Sequence, residues 1–204
     1  MIRACLVMMT LAAPAAAQTT AADILAALEA PTNELQQLTA VLEGPDEEKA
    51  LVAMRLMLGS GDPAMERLAL RAGLSSTSGV VRGVALESFL KSRPTLTAYA
   101  VGQDDAAEGV QVWLQSVGSI SADAAGSFPI AIGPYIEDEN CFGSAQRPTE
   151  CYNRVGGTEL SFYIGQSWGV ARLNESGELV GSISNRGYKT GPIAVTIPLL
   201  GQLQ

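Results

Sequence analysis

Apolar residues recur at helical spacing up to about residue 91 and at a spacing of two from Thr95 onward. In the first stretch, residues 23–29 read as a short helix stopped by Pro31. Thr32 or Asn33 caps a second helix that runs to Glu43, where Gly44-Pro45 ends it. Asp46 caps a third, in which Leu51, Met54, Met57 and Leu58 fall on one face. Asp62-Pro63 starts a fourth, because aspartate accepts from unpaired N–H groups and proline suits the first helical position. Met65, Leu68, Ala69 and Ala72 form its inner stripe. After a loop at 75–79, a last helix covers about Val80 to Lys91.

The period of two then predicts about seven strands. Leu96, Ala98 and Ala100 alternate with Thr97, Tyr99 and Val101; Val110, Val112 and Leu114 alternate with Gln111, Trp113 and Gln115 between Gly109 and Gly118. Phe128, Ile130 and Ile132 follow a Ser/Ala/Gly linker, and Leu160, Phe162 and Ile164 make a fourth set. Trp168 to Leu173 and Leu179 to Ser184 flank Asn174-Glu175-Ser176-Gly177, a hairpin turn. Ile193, Val195, Ile197 and Leu199 give the last strand.

Composition supports the same division. Of eleven aromatic residues only Phe89 precedes Tyr99, so the first part builds its apolar surface from Ala, Leu and Met and the second from β-formers. The expected fold class is α+β: a helical domain over 18–93, then an antiparallel β-sandwich or barrel over 94–204.

Residues 1–17 carry a leader pattern, with Arg3 ahead of an apolar stretch and Ala15-Ala16-Ala17 as the cleavage site. This predicts export and a periplasmic or secreted protein starting at Gln18. Cys141 and Cys151 are then the only mature cysteines, and an oxidising compartment pairs them. Closing that loop stabilises by roughly 2.5–3 kcal/mol in the chain-entropy model. The mature chain would hold 12 basic and 21 acidic residues and no histidine. That excludes His-based nucleophilic catalysis and His-ligated metal, and an acidic chain without a basic cluster is a poor nucleic-acid binder. No apolar run after residue 17 is long enough to span a membrane, and no cofactor is implied.

Val81-Arg82-Gly83-Val84-Ala85, preceded by the Asp62-Pro63 turn, resembles the second helix of HEAT-type repeats over about residues 46–92. An echo at an offset of 32 pairs Ala53, Leu58 and Ser60 with Ala85, Leu90 and Ser92; Met65-Glu66 departs from the motif. Generic antiparallel helices are the alternative.

Ser88-Phe89-Leu90-Lys91 and Lys189-Thr190-Gly191 are similar to the Ser-x-x-Lys and Lys-Thr-Gly motifs of penicillin-binding proteins, which implies a serine acyl-enzyme. Against this, the intervening Ser-x-Asn element is missing and Ser88 falls deep in its helix. Glu137-Asp138-Glu139-Asn140 reads as a solvated acidic loop, with calcium as the alternative. Trp168, Arg172, Arg186, Tyr188 and Lys189 gather on the last strands and their connecting turn as candidate partner-binding residues. For Trp168 the competing reading, core burial, is favoured on size. Tyr188-Lys189-Thr190-Gly191 is also loosely similar to a loop of bacterial lysozyme inhibitors, although the Ser-Gly partner motif of that class is absent. The leading expectation is a non-catalytic exported adaptor that binds a protein partner of the envelope. An inhibitor of a cell-wall hydrolase comes second.

Overall fold

The computed structural model describes residues 34–102, 107–122, 124–184 and 191–203; the leader and the predicted first helix lie outside them. The chain divides into two compact units, Met1–Gln36 and Gln37–Gln204, and the second carries the sheet and the helices packed on it. Residues 34–42 are helical (α1), followed by α2 (Glu47–Leu58), α3 (Pro63–Leu74) and α4 (Gly79–Lys91). Each of these last three starts at a side-chain cap. Asp46 accepts from the Lys49 amide at 3.1 Å, Asp62 from Ala64 at 2.8 Å and Ser78 from Val81 at 3.2 Å.

Then come β1 (Thr95–Val101), α5 (Ala107–Val117), β2 (Ser119–Ala122), β3 (Ala125–Ala131), β4 (Tyr135–Ile136) and β5 (Cys141–Phe142). β6 (Asn153–Gly156), β7 (Glu159–Ile164), β8 (Ser167–Leu173), β9 (Glu178–Ser184) and β10 (Pro192–Pro198) complete the set. The ten strands form one curled antiparallel sheet, a half-barrel, in the order β2-β3-β1-β10-β9-β8-β7-β6-β5-β4. The fold is α+β with an antiparallel sheet, and among the described residues the strands number ten rather than seven.

Two expectations are corrected by this arrangement. The strand expected over 110–115 is helix α5. Val110, Trp113 and Leu114 are all fully buried, and with Val117 they occupy i, i+3, i+4 and i+7; Val112 faces solvent. Reading every second residue picked up two true core positions, Val110 and Leu114, with one exposed valine, and put the buried Trp113 on the wrong face. The expected Ser/Ala/Gly linker also contains an edge strand, β2, and three further short strands (β4, β5, β6) went unread. In place of a sandwich there is a single sheet.

The sheet turns its corner where β3 runs on into β4. The first part of this stretch pairs with β1 and the last with β5, at opposite ends of the strand order. Gly133 sits at the bend, exchanging backbone hydrogen bonds with the far end (Gly133 N to Gly143 O and Gly143 N to Pro134 O, both 2.9 Å). A Cβ on Gly133 would stand 2.7 Å from the Gly143 carbonyl carbon, so only glycine permits this approach. Leu42, Met54, Leu74, Leu86 and Leu90 from the helices share one buried cluster with Leu96, Phe128, Phe162, Ile183 and Ile197 from the sheet. α4 lies close to β6 through Gly83, where a Cβ would be 3.1 Å from the Gly157 backbone. The Cys141 and Cys151 sulfurs stand at disulfide distance, Cα to Cα 5.6 Å, and fasten the β5 end.

The side of β1 that faces β10 is completed by a side chain. β10 pairs with β1 only at Tyr99, Ala100 and Val101. Beyond them the Gln202 carboxamide accepts from Thr97 N at 2.7 Å and donates to Thr97 O at 3.3 Å and Pro198 O at 2.8 Å. It satisfies backbone groups that the ladder leaves open.

Candidate functional site

The central strands β8, β9, β10 and β1 alternate cleanly between a buried and a solvent face. Inward go Gly169, Ala171 and Leu173, then Leu179 and Ile183, then Ile193, Val195 and Ile197, then Leu96, Ala98 and Ala100. Outward, the register sets Val170 opposite Ser182, Ser182 opposite Ala194 and Ala194 opposite Val101. A parallel row runs Arg172, Val180, Thr196, Tyr99. Tyr99, Val101, Trp168, Val170 and Val180 are therefore exposed large hydrophobic residues on one face of one sheet. Small polar side chains fill the positions between them.

Trp168 is 51% exposed, whereas Trp113 is the tryptophan the core keeps. The burial favoured for Trp168 on size is thus not observed. β8 puts its large residues outside because the inside is occupied: a Cβ on Gly169 would meet the Phe162 ring at 2.3 Å. The Trp168 ring lies 5.2 Å from that of Tyr163, its cross-strand neighbour, and Tyr163 lies 5.5 Å from Tyr152 in an edge-to-face contact. The Arg147 guanidinium stands 5.9 Å from the Tyr152 ring, and its pKa is raised by the hydrogen bond to Glu150. Three aromatic rings thus run in file across β8, β7 and the start of β6.

Arg172 projects on the same face as Trp168 and pairs with Glu159 at 3.0 Å, so this predicted residue borders the patch as half of an ion pair. Arg186, Tyr188 and Lys189 lie outside the described residues. The residues flanking them, Ser184 and Pro192, pair with each other, and Ser184 also faces Trp168. Sequence reading missed Tyr99, Val170 and Val180. The available signal was in β1 and β8 themselves, which carry apolar residues at both parities; a strand with only one face to bury needs them at one.

Other predicted chemistry lands elsewhere. Ser88 sits at the tenth position of the 13-residue helix α4, remote from its N-terminus. Lys91 bonds Glu87 at 2.6 Å and lies 4.5 Å from the Tyr135 ring, and the Glu87 hydrogen bond raises its pKa. Glu137, Asp138 and Glu139 form one exposed 3-10 turn. Glu139 lies 3.0 Å from the Cys151 sulfur, and both sulfurs that could join it in a ligand set are committed to each other.

One hollow adjoins this face and a second lies on the helices. A cleft of about 730 Å³ is lined by Glu66, Arg67, Thr95, Thr97 and Gln202 and shares Tyr99 with the apolar face. A groove of about 490 Å³ on the helical side is lined by Leu38, Val41, Val52 and Leu56, with Asp46 and Lys49 at its rim. No helix among the described residues is long and apolar enough to cross a membrane. No family model matches the chain, and neither a curated protein nor a solved structure was found to match it.

Proposed function

We propose that the protein is a non-catalytic binding module of the cell envelope, which docks a protein partner on the solvent face of β1, β10, β9 and β8. The observation that carries this reading is the cluster of Tyr99, Val101, Trp168, Val170 and Val180 on adjacent strands, all open to water. Five large apolar side chains spread over one sheet face, with only small residues between them, mark an interaction surface rather than scattered exposure. An aromatic and aliphatic centre, bordered by the Arg172–Glu159 ion pair, has the make-up of a protein interface with its drier middle and charged rim. The leader pattern supports export, and the lack of any histidine supports a role without acid–base chemistry.

The test is photo-crosslinking in cells from benzoylphenylalanine placed at Val170 or Val180, with Leu56 in the helical groove as a second position. The expected result is a discrete adduct from 170 and 180 that Trp168→Ala diminishes. Absence of an adduct from both sheet positions, under conditions where the protein is folded and exported, overturns the assignment.

A further inference from the structure

Where β3 and β7 approach one another below the Gly133 corner, the curled sheet leaves a cleft of about 420 Å³, within the range of small-molecule sites. Pro129, Ile130 and Ala131 form one wall, and Tyr152, Asn153, Tyr163 and Ile164 the other. Ser116 and Val117, at the end of α5, and Ser144 and Gln146, in the loop after β5, complete it. Three properties stand together here. None of the lining residues is charged. Two of them, Tyr152 and Tyr163, begin the file of rings that continues to Trp168. And Ser144 and Gln146 bring a hydroxyl and a carboxamide to the lining.

We propose that this cleft binds a neutral saccharide. The C–H faces of a pyranose ring carry partial positive charge and lie against the electron-rich face of an aromatic ring. Its hydroxyl groups both donate and accept, which matches the serine hydroxyls and the Gln146 carboxamide of the lining. An anionic ligand finds no cation in the lining, and the Arg147 guanidinium beside Tyr152 is held by Glu150 at 3.1 Å. The row of three rings is longer than the cleft needs for one sugar, so the site takes an oligosaccharide that extends from the cleft toward Trp168.

This site borders the protein-docking face and shares only Trp168 with it, and the test separates the two through residues that belong to one alone. The full-length exported protein, labelled with nitrogen-15, is titrated with chitotriose, maltotriose and cellotriose, each to about 10 mM to reach millimolar dissociation constants. At least one is expected to shift amides of residues 144–153 and 163–166 in a saturable way and to alter Trp168 fluorescence. Gln146→Ala, in an exposed loop, is expected to weaken that binding roughly two- to tenfold, as loss of one hydrogen bond does. Tyr152→Ala is expected to weaken it by more. Val180→Glu, four residues along β9 from the position facing Trp168, is expected to leave it unchanged while abolishing the crosslinks from the sheet face. Silence to all three sugars, or shifts that fall outside the cleft or survive both cleft substitutions, overturns the saccharide proposal and leaves the docking face standing.

Discussion

Tryptophan occurs twice in the chain, and the two side chains make opposite demands on the fold. Trp113 is fully buried and packs edge-on against Phe128 with ring centroids 5.3 Å apart. Trp168 keeps half its surface in water. Trp113→Ala is therefore expected to cost about 3–5 kcal/mol in urea denaturation, the range for a large core truncation. Trp168→Ala should stay within about 1.5 kcal/mol, the worth of one ring contact. Acrylamide should quench most of the emission that Trp168→Phe removes and little of what remains; equal quenching in both proteins would contradict the assignment. A second residue-scale expectation concerns Asp46. Its pKa is lowered, first by the side-chain hydrogen bond to Lys49 and then by the Lys49 amide it caps. A carboxylate lowered in the folded state contributes stability above its unfolded pKa and loses it as pH falls through the lower folded value. The Lys49 amide resonance should accordingly move toward its uncapped position only below the ordinary carboxylate range, and should do so at any acid pH in Asp46→Ala.

At the scale of elements, α2 and α3 were legible because each announces itself chemically, through Asp46 and Asp62-Pro63. The Ser78 cap of α4 went unread inside the loop expected at 75–79. The longer strands were legible because one face is buried and parity is strict. α5 was misread because Val, Trp and Val are β-formers and their spacing satisfies both periods over six residues; only burial of Val110, Trp113 and Leu114 together decides it. β4 and β5 contain two residues each, too few for any period to show, and exist because the disulfide and the Gly133 bend hold them in place. In the candidate site Trp168 and Arg172 were found on the right strand. Their neighbours were not, because a surface assembled from four strands has no signature in any one of them. Val112 offers a direct check on α5. It is exposed on that helix, so Val112→Ala should stabilise by about 0.5 kcal/mol through helix propensity. On a strand the same change would destabilise, and a fall in the urea midpoint would argue against the helix.

For the molecule as a whole, what matters is that helices α2 to α4 do not own a private core. Met54, Leu86 and Leu90 belong to the same buried cluster as Leu96 and Phe162, and Arg82 reaches out of α4 to the carbonyl of Ser76 and to Glu175 in the β8–β9 turn. A fragment ending at Arg93 is expected to show no cooperative thermal transition near that of the full chain. A sharp transition at a similar temperature would mean that the helices stand without the sheet.

The pairing of β1 with β10, completed by Gln202 across Thr97, sets a condition on how the chain matures. A ribosome delivers the polypeptide in order, and β1 emerges long before its neighbour. Until residues 192–202 arrive, β1 and β9 each present an open ladder of amides and carbonyls, the geometry that invites another chain to pair. The sheet is zipped shut at its centre, not its margin, and late. Closure of the sheet thus waits on β10, and the interval before that strand arrives is when a chaperone that shields open strand edges would act.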